Sequence, residues 1–323
     1  MFSLLIVITS DLPSEVALHE TTVAVPSDTV TLAGAFAMPG SAGPFPTALL
    51  LAGSGPLDRD GNHKRIKLNL SRDLASTLAG SGWASLRLDK RGVRESGGDY
   101  LSMGLFDELA DAEAALAWLQ ERGNVGPVVV IGHSAGSLLA GELAARDSGI
   151  AGAILLSASA KNGEETLRWQ GAQISDHIVP KPVAALLRLF RTSVVKQQDK
   201  AIAKLKATTT DTARIQLSKV NAKWMREYIA YDPLPVLRRA RVPMLAITGT
   251  KDVQVDPADL AMIETATAST ETLSVEGVDH ILRREERPIS NPRNYSKQIK
   301  KPVDSRVTDA ITRWLSEHWP SAS

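Results

Sequence analysis

The chain has 323 residues, 43% hydrophobic and only 5% aromatic, enough for one large α/β domain with an inserted subdomain. Its net charge of +1 gives no global case for nucleic acid or an anionic membrane as partner. With no cysteine, disulfides, thiolate metal sites and a cysteine nucleophile are excluded, and a reducing, cytoplasmic setting is expected.

Met1–Ser10 holds an apolar stretch with no basic residue before it and no clean cleavage pattern after it. It reads as a terminal strand or a non-native start and a poor signal peptide. No stretch reaches the ~18 apolar residues of a membrane span. Thr21–Val25 and Val30–Ala37 predict an opening antiparallel pair, and Thr47–Ala52 a short buried strand. Leu70, Leu74 and Leu78 recur every four residues and predict a helix over 69–79. A strand follows at Trp83–Leu88, then an amphipathic helix over Gly104–Glu121 with Leu105, Leu109, Ala112, Leu116 and Leu119 on one face. Val128–Ile131 and Ala153–Ser157 read as further strands, as do Met244–Thr248 and Thr272–Val275. A last helix spans about Val303–Glu317. Eight strands alternating with helices predict an α/β fold with a mostly parallel eight-stranded sheet covered on both faces.

The alternation breaks over residues 161–241, which read as helical with no convincing strand. Sixteen Lys and Arg stand there against seven Asp and Glu, a local charge of +9 against −8 for the rest. We therefore divide the chain into a core, 1–160 and 242–323, and an inserted helical cap, 161–241. The excess charge reads first as a solvated face, with selection of acidic substrates as the alternative.

Gly132-His133-Ser134-Ala135-Gly136 lies between the strand Val128–Ile131 and a helical stretch through Ala145. Strand, tight turn and helix with a serine at the apex lift its hydroxyl above the sheet edge, and the glycines permit the close approach this needs. Ser134 is the candidate nucleophile. It needs a base and a third group to hold that base. Of six histidines, His280 alone sits in a short loop after the last predicted strand. His133 is part of the turn and should point away from Ser134, while His63 is a candidate pocket residue. Asp252, just after the strand Met244–Thr248, is the candidate acid. Asp256 is its rival but looks like a helix start, and Asp279 reads as a turn residue. A tetrahedral intermediate also needs donors. The backbone N–H of Ala135 is one candidate, and the N–H of Ser54, in the glycine-containing loop Gly53–Gly61, is the other.

These residues resemble the α/β-hydrolase superfamily over nearly the whole chain. Gly53-Ser54-Gly55-Pro56-Leu57-Asp58-Arg59-Asp60-Gly61 resembles the Gly-Ser-Gly-Pro-x-Asp-Arg-Asp-Gly oxyanion segment of bacterial carboxylesterases. Asp89–Ser96 is similar to the Asp-x-Arg-Gly-x-Gly-x-Ser turn of that family but carries Arg94 where glycine is usual. Ala52 stands where many relatives have histidine. The resemblance implies a triad of Ser134, Asp252 and His280 with oxyanion donors at Ser54 and Ala135. Asp58, Arg59 and Asp60 read as a charge network that stabilises the loop. A serine esterase acting on a small ester through an acyl-serine is expected, with no metal or cofactor. Acyl transfer or thioester cleavage is the alternative, and a peptidase or a non-catalytic binding protein is less expected.

Overall fold

The central strands of the sheet carry apolar residues on both faces, and this dictates a layer of helices on each side. The computed structural model describes residues 19–320, apart from 41–42, 65, 147, 180–181, 183–191 and 268. The expected N-terminal strand at Met1–Ser10 lies outside the described residues. The opening hairpin is β1 (His19–Ser27) and β2 (Val30–Met38). Then come β3 (Phe45–Leu51), α1 (Leu70–Gly80), β4 (Ala84–Leu88), α2 (Leu105–Gln120), β5 (Val125–His133), α3 (Ala135–Ala145) and β6 (Gly152–Leu156). The sheet resumes at β9 (Met244–Gly249), followed by α8 (Asp259–Ala266), β10 (Thr270–Val275), the single turn α9 (Tyr295–Gln298) and α10 (Ser305–His318). The eight strands lie in the order β1-β2-β4-β3-β5-β6-β9-β10, antiparallel among β1, β2 and β4 and parallel from β4 onward.

Successive residues of one strand feed opposite cores. Val128 and Val130 of β5 pack with Leu109 and Leu116 of α2 and with Leu139 and Leu143 of α3. Val129 and Ile131 pack with Leu74 and Leu78 of α1 and with Val307, Ile311 and Trp314 of α10. Truncating one of these side chains to alanine costs roughly 2–5 kcal/mol, because packed surroundings collapse only partly into the space.

Between β6 and β9 the chain forms α4 (Gly163–Gln173), a π-helical turn (Ile174–Ile178), α5 (Val194–Ala207), β7 (Thr212–Ile215), β8 (Ser218–Asn221), α6 (Ala222–Ala230) and α7 (Leu234–Leu237). The β7–β8 hairpin corrects the expectation of a strand-free segment. Its strands have four residues each. Its two-residue turn is Gln216-Leu217, with Gln216 at φ 54° and Leu217 fully in solvent. No Asn-Gly or Gly-containing pair marks the turn, so the usual hairpin signal is missing. The segment has its own small apolar cluster, Ile202, Leu205, Ala222 and Ile229.

Part of its positive charge meets the core. Lys161 pairs with Asp256 and Asp259, and Lys223 with Asp107 at 2.6 Å. The amide of Asn221 donates to the carbonyls of Tyr100 and Met103, both at 2.6 Å.

Candidate active site

The turn after β5 has the backbone its sequence demands. Ser134 adopts φ 54°, ψ −122°, a conformation that L-residues avoid and that costs on the order of 1–3 kcal/mol. A Cβ on Gly132 would lie 2.2 Å from the Gly136 carbonyl oxygen, and one on Gly136 would lie 2.2 Å from that of Leu51. Only glycine fits at either place. The strain aims Ser134 Oγ at the ring of His280, whose Nε2 is 3.1 Å away. His280 Nδ1–H donates to Asp252 Oδ2 at 2.8 Å, which leaves Nε2 free to accept. Asp252 is fixed in turn: its Oδ1 accepts the N–H groups of Gln254 and Val255 at 2.7 and 2.9 Å. Asp252 and His280 are buried, so their contact is little screened.

Local sequence explains how the two loops meet. A Cβ on Gly249, at the end of β9, would lie 2.2 Å from the Val278 carbonyl oxygen, so glycine there lets the His280 loop close on the Asp252 loop. Asp279 Oδ1 accepts the N–H groups of Ile281 and Arg283, turning the chain tightly around His280. The buried Arg283 guanidinium donates to the carbonyls of Ile281, Leu68 and Lys301 and to Asp73, tying that turn to α1. Burial pushes the Asp279 carboxyl up to about 6. Asp256 stands apart from the histidine: Oδ1 accepts the Ala258 N–H and Oδ2 pairs with Lys161.

His133 is directed away from the nucleophile, as its position in the turn requires. Its Nε2–H donates to the His280 carbonyl at 2.8 Å, and the two rings lie 5.0 Å apart. Burial, with His280 alongside, pushes its pKa down to about 3, so the ring is neutral.

Ser54, Ala135 and Ser134 line one cleft of about 450 Å³. Ala135 begins α3, so its N–H has no carbonyl partner within the helix. Gly53 packs closely here: a Cβ on it would come within 3.2 Å of Ser134 Cβ, a tight contact. Leu167, Lys219, Val220, Trp224, Met225 and Tyr228 of the 161–241 segment form the facing wall. Trp224 and Tyr228 stack with ring centres 5.0 Å apart. The apolar cluster Val183–Leu187 of the same segment, whose sequence makes it another candidate for this wall, lies outside the described residues. His63 is not among the lining residues; its backbone bridges to Ile66. Sequence reasoning missed Tyr100 and Gln254 on the cleft wall, which carry no local motif.

The acidic and basic residues beside the Ser54 loop pair with one another. Arg59 holds the buried Asp89 and also Glu95, and Asp60 pairs with the buried Arg87. Arg94, at φ 49°, takes up the left-handed backbone that glycine would adopt freely and sends its guanidinium to Asp58 at 3.2 Å. Among the described residues no group of histidines and carboxylates is arranged to hold a metal ion, and no helix is long and apolar enough to cross a membrane.

This fold, with a serine at the strand–helix turn beneath the loops of β9 and β10, defines an α/β-hydrolase. The family model described as serine aminopeptidase, S33, matches residues 67–287, and the chain belongs to that hydrolase family. Esterase EstD of Thermotoga maritima is 30% identical over 290 residues, which are 88% of this chain and 65% of that protein, so the chain spans just under two thirds of its relative. Among solved structures, Est1E of Butyrivibrio proteoclasticus with bound ferulic acid superposes with a TM-score of 0.62 at 16% identity, covering 93% of this chain and 100% of that one. The Pyrococcus furiosus esterase Pf2001 gives a TM-score of 0.61 at 16% identity, covering 96% of both chains.

Proposed function

We propose that this protein is a serine carboxylesterase. The observation that carries the reading is the chain of contacts from Ser134 Oγ through both nitrogens of His280 to Asp252. His280 Nε2 takes the hydroxyl proton as Ser134 attacks the ester carbonyl, and Asp252 holds the ring and stabilises the imidazolium. The oxyanion is met by the N–H groups of Ser54 and Ala135. Collapse expels the alcohol, which receives the proton from His280. Water, deprotonated by the same ring, then attacks the acyl-serine, and the acid leaves.

In this reading residues 161–241 are a cap whose Trp224, Met225 and Tyr228 bound the substrate. The 30%-identical relative is an esterase, which supports an ester as substrate. The same acyl-serine would serve a thioesterase or an acyltransferase, and the family description names an aminopeptidase. A fluorophosphonate probe with wild type and Ser134→Ala tests the nucleophile. A panel of esters of rising acyl length, thioesters and aminoacyl amides tests the class. Label on another serine overturns the mechanism, and amide turnover exceeding ester turnover overturns the substrate assignment.

A further inference from the structure

Lys90 follows β4 by two residues, a place where a lysine usually reaches into water. Here its side chain is 9% exposed, and it turns inward beneath the Ser54 loop. Its Nζ donates to the carbonyl oxygen of Gly53 at 2.5 Å and pairs with the buried Glu108 of α2. The other carboxylate oxygen of Glu108 accepts the indole N–H of Trp224 at 2.7 Å. Trp224 lines the cleft from α6. An unbroken polar path therefore runs from the cleft wall to the Gly53 carbonyl.

That carbonyl and the Ser54 N–H are the two ends of one planar peptide unit. Fixing the oxygen fixes where the N–H points. An ammonium on the oxygen also polarises the unit and strengthens the N–H as a donor. Burying a lysine is costly, and Glu108 alone would have answered the charge. The additional contact with Gly53 is unexplained by charge neutralisation.

We propose that Lys90 is a positioning residue for the oxyanion peptide Gly53–Ser54, and that Glu108 and Trp224 couple this peptide to helix α6. The inference rests on the esterase reading. Lys90 touches no reacting atom. It sets the direction and strength of the N–H that receives the developing charge, so its effect falls on the transition state and not on ester binding.

The test compares wild type, Lys90→Met and Trp224→Phe on a p-nitrophenyl ester, with kcat normalised to active sites counted by fluorophosphonate. A trifluoromethyl ketone, which forms an alkoxide on the serine, reports on the oxyanion donors directly. Lys90→Met should lower kcat about 30-fold with KM within about twofold, and weaken the ketone in proportion, since loss of a whole oxyanion donor costs ~10²–10³. Trp224→Phe, which keeps a ring and drops the N–H, should shift both in the same sense by about threefold. Unchanged normalised kcat and ketone affinity in Lys90→Met, or a change in KM alone, overturns the inference and leaves the esterase reading standing. Should Lys90→Met fail to fold, Trp224→Phe decides by the same criterion. A wild type inert toward every ester overturns the esterase reading and this inference with it.

Discussion

His133 Nε2–H donates to the backbone carbonyl of His280 at 2.8 Å, so the residue before the candidate nucleophile holds the main chain of the residue that would serve it. The bond needs a proton on Nε2, which the neutral Nε2–H tautomer supplies, and burial, with a pKa of about 3, keeps the ring neutral. In the unfolded chain the same histidine titrates near 6.5. The unfolded state therefore binds one more proton than the native state as pH falls from about 6.5 to 3, and stability is lost across that window. At pH 5 the cost reaches up to about 2 kcal/mol. His133→Gln can keep a donor for the carbonyl but cannot take up a proton. Urea melts at pH 5 and 7.5 should show the variant losing less stability on acidification than wild type. Parallel losses would remove His133 from the account.

Asp279 works in the opposite sense. Burial raises its carboxyl from 3.8 to about 6, and its Oδ2 has no partner among the described residues. The folded state holds this proton more tightly than the unfolded one, so the contribution is full below pH 3.8 and is lost as pH rises through about 6. Asp279→Asn keeps an oxygen for the N–H groups of Ile281 and Arg283 and carries no charge. It should stabilise the protein at pH 7.5 by up to about 3 kcal/mol, with the gain gone near pH 4. A gain that is constant across pH would show that titration is not its source.

The two neighbouring acids separate by contact. Asp252→Asn should lower kcat by ~10⁴, because an amide holds the wrong imidazole tautomer. Asp256→Asn weakens a partly exposed pair with Lys161 that does not touch His280, and should stay within about tenfold of wild type. Equal losses in the two variants would contradict the assignment.

Lys219 is exposed on the β7–β8 hairpin at the cleft wall, and it is the one lysine or arginine among the described lining residues. Among the described residues the +9 of its segment thus brings one cation to the cleft, while Lys161 and Lys223 are held by core carboxylates. Lys219→Glu should lower kcat/KM for a monoester of a dicarboxylic acid relative to a neutral ester by about fivefold, and the difference should shrink in 0.5 M salt. An unaltered ratio at low salt would exclude substrate charge selection by Lys219.

Much of the core was legible because its signals are local. The apolar runs Val128–Ile131 and Met244–Thr248, bounded by turn residues, read as buried strands, and all eight sheet strands and the α1, α2, α3 and α10 helices lie where the sequence pattern puts them. The residues at Ser134, His280 and Asp252 follow from the turn glycines and the order of loops. Features made by distant partners were not legible. Lys90 meets a carbonyl 37 positions earlier in the chain. The buried, half-unpartnered state of Asp279 depends on how a loop closes over it. The β7–β8 turn defeated pattern reading because Gln216 adopts its positive φ without a glycine.

β6 and β9 are hydrogen-bonded neighbours, with Ala153 opposite Met244, although about ninety residues separate them in the chain. The chain thus leaves the sheet and rejoins it in the adjacent lane. Lengthening, shortening or refolding the excursion between them disturbs no pairing of the eight-stranded sheet, and added loop length costs closure entropy only logarithmically. The scaffold is therefore open to exchange at this junction: a foreign excursion grafted between β6 and β9 would meet the same serine from a differently shaped wall. The limit on such grafts is set by Glu108, which must find a new donor when the indole of Trp224 is taken away.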